Sequence, residues 1–112
     1  MINITVVKSN SKIITIEATG HSGYAYEGQD IVCAAVSTLT QALINGLIGV
    51  VKISPKYTID EDIPHLSVTL PHDIEEEKLK YAQVLMNSTY LALKDIANSY
   101  SKFIKIKEKQ ND

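Results

Sequence analysis

IVCAAVSTLTQALINGLIGVV, residues 31–51, is the longest apolar stretch of the chain and decides its fold. Small and apolar side chains recur at helical spacing along one face, at Ile31, Ala35, Leu39, Ala42, Gly46 and Val50. Further apolar side chains lie on other faces, at Val32, Val36, Leu43 and Leu47. A helix that is apolar all round must be covered on more than one side. We therefore expect a sheet on one side and a second helix of the same chain on the other, with a second subunit as the alternative.

Strand-like segments lie on both sides of this helix. Residues 2–7 (INITVV) and 12–18 (KIITIEA) are rich in β-branched side chains and predict a hairpin. Residues 56–60 (KYTID) and 65–70 (HLSVTL) alternate around an acidic connection and predict a second hairpin. Two hairpins separated by a helix are typical of an antiparallel sheet with helices packed against it.

A second helix and a last strand complete the pattern. Asp73 is predicted to cap a helix with Glu75, Glu76 and Glu77 in its first turn, where negative charge suits the helix N-terminus. Its apolar stripe consists of Leu79, Ala82, Met86, Leu93 and Ile96. Residues 102–107 (KFIKIK) predict a short strand, followed by a polar tail. The order ββαββαβ predicts an α+β fold, a mainly antiparallel sheet packed by two long helices, two-layer to sandwich-like.

Length and composition favour one globular domain over residues 1–112. The chain is 45% hydrophobic and 21% charged, which is enough to bury a core without disulfides or a structural metal. Its single cysteine, Cys33, excludes an internal disulfide and the paired-cysteine zinc and redox motifs. A free thiol is typical of a reducing compartment, and we expect a cytoplasmic protein. We predict no cofactor and no metal, since the spacing of His65 and His72 matches no metal motif and both are expected in solvent at strand ends.

Charge excludes a further class of protein. The 11 basic residues are all lysine, and 13 acidic residues give a formal net charge of −2. Proteins that recognise nucleic acids usually carry a basic excess and use arginine for bidentate contacts. We therefore expect no direct nucleic-acid binding. The N-terminal residues resemble no secretory leader and no unbroken apolar run reaches 18 residues, so we also expect no membrane association.

The segment GHSGYAYEGQDIVCAAVS, residues 20–37, departs from plain fold-building. Asp30 is a predicted N-cap, which places Cys33 at the third helical position, near the free amides and the positive end of the helix dipole. Cysteines in such positions have pKa values of about 3.5–7.5, against about 8.5 for a free thiol. His21 follows a predicted strand, and the glycine-rich loop is long enough to bring its imidazole to the sulfur. A buried core cysteine and a surface histidine are the bland alternatives.

The residues Gly20-His21-Ser22-Gly23, followed by Asp30-Ile31-Val32-Cys33-Ala34-Ala35-Val36-Ser37, carry a family resemblance. Their pattern and spacing resemble the signature of the Prp family of ribosomal-processing cysteine proteases. The motif covers about eighteen residues, and the chain length and element order are also similar to the family's. The resemblance implies a homodimeric endopeptidase that removes a short N-terminal extension from ribosomal protein number twenty-seven of the large subunit. It places the nucleophile at Cys33 and the general base at His21.

The other motif positions receive supporting roles. Gly20 and Gly23 are expected to let the histidine loop approach a peptide backbone, and Asp30 is expected to cap the helix. Ser37, one turn after Cys33, is predicted to bond the histidine, the substrate or its own backbone. Amides at the helix start, with that of Cys33 among the candidates, are expected to stabilise an oxyanion. Residues 22–29 are a predicted lid, with Tyr24 and Tyr26 either on the peptide or at the surface. The competing interpretation is a non-catalytic, ribosome-associated binding module with a structural cysteine.

Overall fold

The computed structural model describes residues 1–21, 30–60 and 65–111. Its helices and strands follow the predicted order ββαββαβ. They are β1 Ile2–Ser9, β2 Lys12–Thr19, α1 Ile31–Gly46, β3 Lys56–Asp60, β4 His65–Thr69, α2 Glu76–Ser99 and β5 Ile104–Gln110. After Gly46, α1 continues as a π-helical turn, Leu47–Val51, and ends at Lys52 in a left-handed conformation with φ of 66°.

The five strands form one mixed sheet in the order β3-β4-β2-β1-β5. The pairs β1–β2, β2–β4 and β3–β4 are antiparallel, while β1 and β5 are parallel. The parallel pair results from the crossover through α2, which returns the chain to the far side of β1. The prediction of a mainly antiparallel α+β sheet is confirmed.

Both helices pack on the same face of the sheet, so the fold has two layers. α1 contacts β4, α2 contacts β2 and β5, and the two helices contact each other. The sheet contributes to the core through alternate side chains, and the helices cover them with one stripe each. Fully buried large side chains include Ile4, Ile13, Ile16, Val68, Val32, Leu47, Met86 and Leu93.

The buried stripe of α1 is the one that contains Val32, Val36, Leu43 and Leu47. Ile31 and Val50, from the other apolar series, are exposed, whereas Gly46 of that series lies against Leu85 of α2. The prediction that a second helix of the same chain covers this helix is therefore confirmed on one side. The segment Ile31–Val51 is long and apolar enough to cross a membrane by length and composition alone. Its most apolar window is 33% buried inside the protein, along the stripe that packs on the sheet.

The start of α2 corrects the predicted cap. The helix begins at Glu76, and the residue at the N-cap is Glu75, whose side chain makes no capping hydrogen bond. Asp73 lies too far before the first turn to cap it. Ile74 between them packs against the core, which fixes the chain in an extended approach and delays the helix start. The acidic first turn contains Glu76 and Glu77, where their charge suits the dipole.

The last strand is also longer at its end than predicted, because residues expected in a polar tail are held in the sheet. The Tyr90 hydroxyl donates to Glu108 Oε1 at 2.7 Å, and Lys8 Nζ lies 3.1 Å from the same oxygen. Burial, and then the hydrogen bond to Glu108, raise the pKa of Tyr90 to about 12. Tyr90 therefore stays protonated, and a hydrogen-bond donor, at neutral pH. These contacts tie β5 to α2 and β1 as far as Gln110.

Candidate active site

The first turn of α1 is capped by Asp30. Its backbone is extended, with φ of −84° and ψ of 100°, and its Oδ1 accepts hydrogen bonds from the amides of Val32 and Cys33, each at 3.0 Å. The Asp30 carbonyl accepts the first intrahelical bond, from Ala34 at 3.1 Å. The predicted N-cap is confirmed, and Cys33 lies at the third helical position.

Replacing Asp30 with alanine should remove two capping bonds and lower the free energy of unfolding by about 1 kcal/mol. Asp30→Asn should retain most of that stability, because its amide oxygen accepts from the same two amides. Urea unfolding followed by circular dichroism measures both variants. An equal loss in the two would show that the carboxylate charge, and not the accepting oxygen, stabilises the helix start.

This cap engages one of the amides that were expected to stabilise an oxyanion. The amide of Cys33 was a candidate donor to a developing oxyanion, but it already donates to Asp30 Oδ1. The same carboxylate neutralises part of the positive end of the helix dipole, which lies at the cysteine. The Asp30 charge opposes a thiolate at Cys33, so a cationic partner would be needed to stabilise that thiolate.

Cys33 forms no disulfide, and its side chain is half-buried. It packs against the edge of the core without belonging to its fully buried set. Ser37, one turn later on the same side of α1, is also half-buried. Thr40 and Thr89 donate their hydroxyls to carbonyls four residues earlier, and within the described ranges Ser37 makes no such bond to its own helix. Of the three roles expected for Ser37, the bond to its own backbone is absent.

Gly20 and His21 stand at the end of β2. Gly20 has φ of +91°, and a Cβ at this position would overlap the carbonyl oxygen of Met1. Only glycine therefore fits where the end of β2 passes the first residue of the chain. Gly20 was expected to allow a close approach to a substrate backbone, and in the structure it approaches the protein's own backbone at Met1. His21, which follows directly, is exposed.

The described residues thus bring Asp30, Cys33 and Ser37 together on the first two turns of α1. They place Gly20 and His21 at the adjoining end of the sheet. Gly23, Tyr24, Tyr26 and the predicted lid at residues 22–29 lie outside the described residues.

The other two histidines, His65 and His72, lie outside the candidate active site. His65 Nε2 lies 2.8 Å from Glu17 Oε2, across the β2–β4 pair on the face away from the helices. This half-buried pairing differs from the solvent position expected for His65, because Glu17 is its diagonal neighbour on the same face. His72 is exposed. Within residues 1–21, 30–60 and 65–111, no three side chains of the His, Cys, Asp or Glu types could hold a metal ion together.

Solved structures share this fold. One is a crystal structure of an essential ribosomal processing protease Prp from Staphylococcus aureus with a covalently linked product peptide. It superposes with a TM-score of 0.85 at 24% identity, over 97% of this chain and 100% of that one. A Streptococcus mutans protein, SMU.848, superposes with a TM-score of 0.85 at 29% identity, over 99% of this chain and 96% of the other.

Sequence comparison extends the likeness to the whole chain. The ribosomal processing cysteine protease Prp of Bacillus subtilis is 30% identical over 107 residues, 95% of this chain and 96% of that protein. The protein of the same name from Mycoplasma pneumoniae is 33% identical over 112 residues, 100% of this chain and 99% of that one. The family model of the cysteine protease Prp matches residues 1–105. The chain belongs to the Prp family of cysteine proteases.

Proposed function

We propose that this cysteine peptidase removes the short N-terminal extension of ribosomal protein number twenty-seven of the large subunit. Two relatives that match nearly the whole chain are named as ribosomal processing proteases, which supports a ribosomal substrate. The observation that carries the proposal is the half-buried thiol of Cys33, which forms no disulfide, on the capped first turn of α1. Family membership favours this activity over a non-catalytic binding module, in which that thiol would only pack.

The proposed reaction uses Cys33 as nucleophile and His21 as general base and acid. His21 takes the thiol proton to form a thiolate–imidazolium pair, the thiolate attacks the scissile carbonyl, and the imidazolium gives the proton to the amine when the carbon–nitrogen bond breaks. Water then hydrolyses the thioester and regenerates the thiol. Since the Asp30 carboxylate occupies the amides of Val32 and Cys33, an imidazolium at His21 is the main source of thiolate stabilisation.

The pH dependence of iodoacetamide alkylation tests this thiolate–imidazolium pair. Alkylation of Cys33 should already be fast at pH 6–7, and His21→Ala should slow it there. His72→Ala, which removes an exposed histidine from another part of the chain, is the matched control and should leave the rate unchanged. A rate that rises only around the pKa of a free thiol, about 8.5, would rule out the pair.

Substrate identity requires its own experiment. A synthetic peptide that spans the junction between the extension and the body of that ribosomal protein should be cut once by the purified protein. Mass spectrometry of the products locates the cut. An intact peptide in the presence of protein that is folded by circular dichroism would refute the ribosomal substrate.

We also propose that the chain forms a homodimer in the cytoplasm through the outer face of its two helices. A groove of about 530 Å³ runs between them, lined mainly by apolar side chains. They include Ile31, Ala35 and Leu39 of α1, with Ala92 and Ile96 of α2. Leu91 beside it is 62% exposed. Contiguous exposed apolar surface of this kind is typical of an interface.

Light scattering at micromolar concentration should therefore report about 25 kDa, twice the chain mass of 12.4 kDa. Leu91→Glu should shift the protein to the monomer mass, because a charge in an apolar interface is desolvated without a partner. Lys107→Glu, on an exposed strand position away from the helices, should retain the dimer. A wild-type mass near that of one chain would contradict the proposal.

A further inference from the structure

The edge strand β3 carries two apolar side chains that neither helix covers. Tyr57 pairs with Val68 of β4, and Ile59 pairs with Leu66. Paired residues point to the same face of a sheet, so both lie on the face where the helices pack. Val68 is fully buried there, yet Tyr57 is 49% exposed and Ile59 is 41% exposed. We call Tyr57 and Ile59 the β3 shelf.

The side of α1 that carries Cys33 faces away from α2. Val36 faces the sheet, and Ala35 and Ser37 are rotated from it by about 100° in opposite directions. Ala35 lines the groove against α2, so Ser37 lies on the opposite side of the helix. Cys33 precedes Ser37 by one turn and shares that side.

The sheet order places β3 on this same side. α1 packs over β4 and α2 over β2 and β5, and β3 lies beyond β4 from β2. Only residues 52–55 connect the end of α1 to the start of β3, so the two elements run in opposite directions. The Cys33 end of α1 therefore lies toward the Ile59 end of β3. Cys33 and Ser37 thus lie on the side of α1 that faces the β3 shelf, and we call the space between them, as far as residues 30–60 and 65–111 define it, the channel.

We infer that the substrate main chain runs along this channel and places an apolar side chain on the β3 shelf, which makes Tyr57 and Ile59 specificity-determining residues. This inference rests on the proposed role of Cys33 as nucleophile. A peptide attacked by the sulfur must pass the side of α1 that Cys33 occupies, and the shelf is an exposed apolar surface on that side. The shelf carries no formal charge, so the occupant that it fits is an aliphatic or aromatic side chain within a few residues of the scissile bond.

Three reagents that alkylate Cys33 test the channel. Iodoacetamide reports on the thiol alone. Acetyl-Leu-Leu-Ala chloromethyl ketone extends to the N-terminal side of the reacting carbon, and chloroacetyl-Leu-Leu-amide extends to its C-terminal side. In both peptide reagents the Cys33 sulfur displaces chloride from a CH₂ group beside a carbonyl. Rates are measured by mass spectrometry on the full chain, with wild type, Tyr57→Ala, Ile59→Ala and Thr58→Ala. Thr58 is the matched control, since it lies between the two shelf residues and points to the other face of the sheet.

Tyr57→Ala and Ile59→Ala should each lower the alkylation rate of at least one peptide reagent by about tenfold. Each substitution removes an apolar side chain that would bury contact area with the reagent. The iodoacetamide rate should stay at the wild-type value in both, and Thr58→Ala should change no rate. Wild-type rates for both peptide reagents in both shelf variants would overturn the inference, as would an equal loss with iodoacetamide. Loss of the dimer mass in the shelf variants would overturn it too, because a second copy would then occupy the shelf. A wrong ribosomal substrate would give a different result. The junction peptide would then stay intact, while the shelf substitutions would still slow alkylation of Cys33 by a peptide reagent.

Discussion

Cys33→Ala should abolish cleavage of the junction peptide, with a loss in kcat/KM of about 10⁴-fold or more. Alanine removes the attacking atom and leaves the helix start intact, because the cap is made by the Asp30 carboxylate and main-chain amides. Cys33→Ser should be almost as inactive, since a hydroxyl beside His21 is a much weaker nucleophile than a thiolate. Product formation is followed by liquid chromatography over several hours.

His21→Ala should lower kcat/KM nearly as far as Cys33→Ala, because removal of either member of a nucleophile–base pair costs about as much activity as removal of both. Ser37→Ala is the matched control on α1, one turn from the sulfur, and should lose no more than about tenfold if it only positions the substrate. Unchanged cleavage by Cys33→Ala would show that the peptidase centre lies elsewhere. Unfolding curves for all four variants separate chemical from structural loss.

Gly20→Ala should lower the free energy of unfolding by about 2–4 kcal/mol, which is the largest stability effect that we expect at an exposed position. Two causes add at this residue. A φ of +91° is strained for any residue with a Cβ, and that Cβ would overlap the Met1 carbonyl oxygen. The Cβ is bonded directly to the main chain and the Met1 oxygen is a main-chain atom, so neither has much freedom to move aside.

Gly49→Ala provides the control for this prediction. A Cβ at Gly49 meets nothing within 4 Å, and its φ is not in the left-handed region. That variant should be neutral or gain about 0.4–1 kcal/mol through the less flexible unfolded chain. Urea unfolding of both variants at one protein concentration gives the comparison. Equal stability of Gly20→Ala and Gly49→Ala would show that the end of β2 relaxes without cost. If Gly20→Ala is destabilised and also slows iodoacetamide at pH 6–7, the turn at Gly20 positions His21 as well.

Local patterns in the sequence predict each element, because spacing, caps and alternation are local. Asp30 before an apolar helix is such a signal, and so is the alternation in β4. Strand order depends on contacts between distant segments, and no local pattern in β5 indicates a parallel pairing with β1. The extension of β5 to Gln110 has the same cause, since Glu108 is held by Tyr90 and Lys8 from two other elements.

The same distinction between local patterns and contacts of distant segments applies to the candidate site. The position of Cys33 on the first turn could be predicted from Asp30 alone. The bond from the Cys33 amide to the Asp30 carboxylate follows from the same cap, because an N-cap side chain accepts from the second or third amide of the helix. Alternation in KYTID predicts that Tyr57 and Ile59 share a face, but their exposure depends on how far α1 extends across the sheet. The exposure of Tyr57 and Ile59 therefore depends on how the helices pack on the sheet, which the local sequence of β3 does not indicate.

The pairing of β1 with β5 sets the order in which the protein can mature during synthesis. β1 is made first and its parallel neighbour last, so the sheet is incomplete for as long as the final strand is still within the ribosome. Closing so long a segment is a slow step compared with forming either hairpin. The β1 edge, with its row of free main-chain groups, stays open until then. A nascent copy of this chain is therefore expected to complete its sheet only after β5 has left the ribosome.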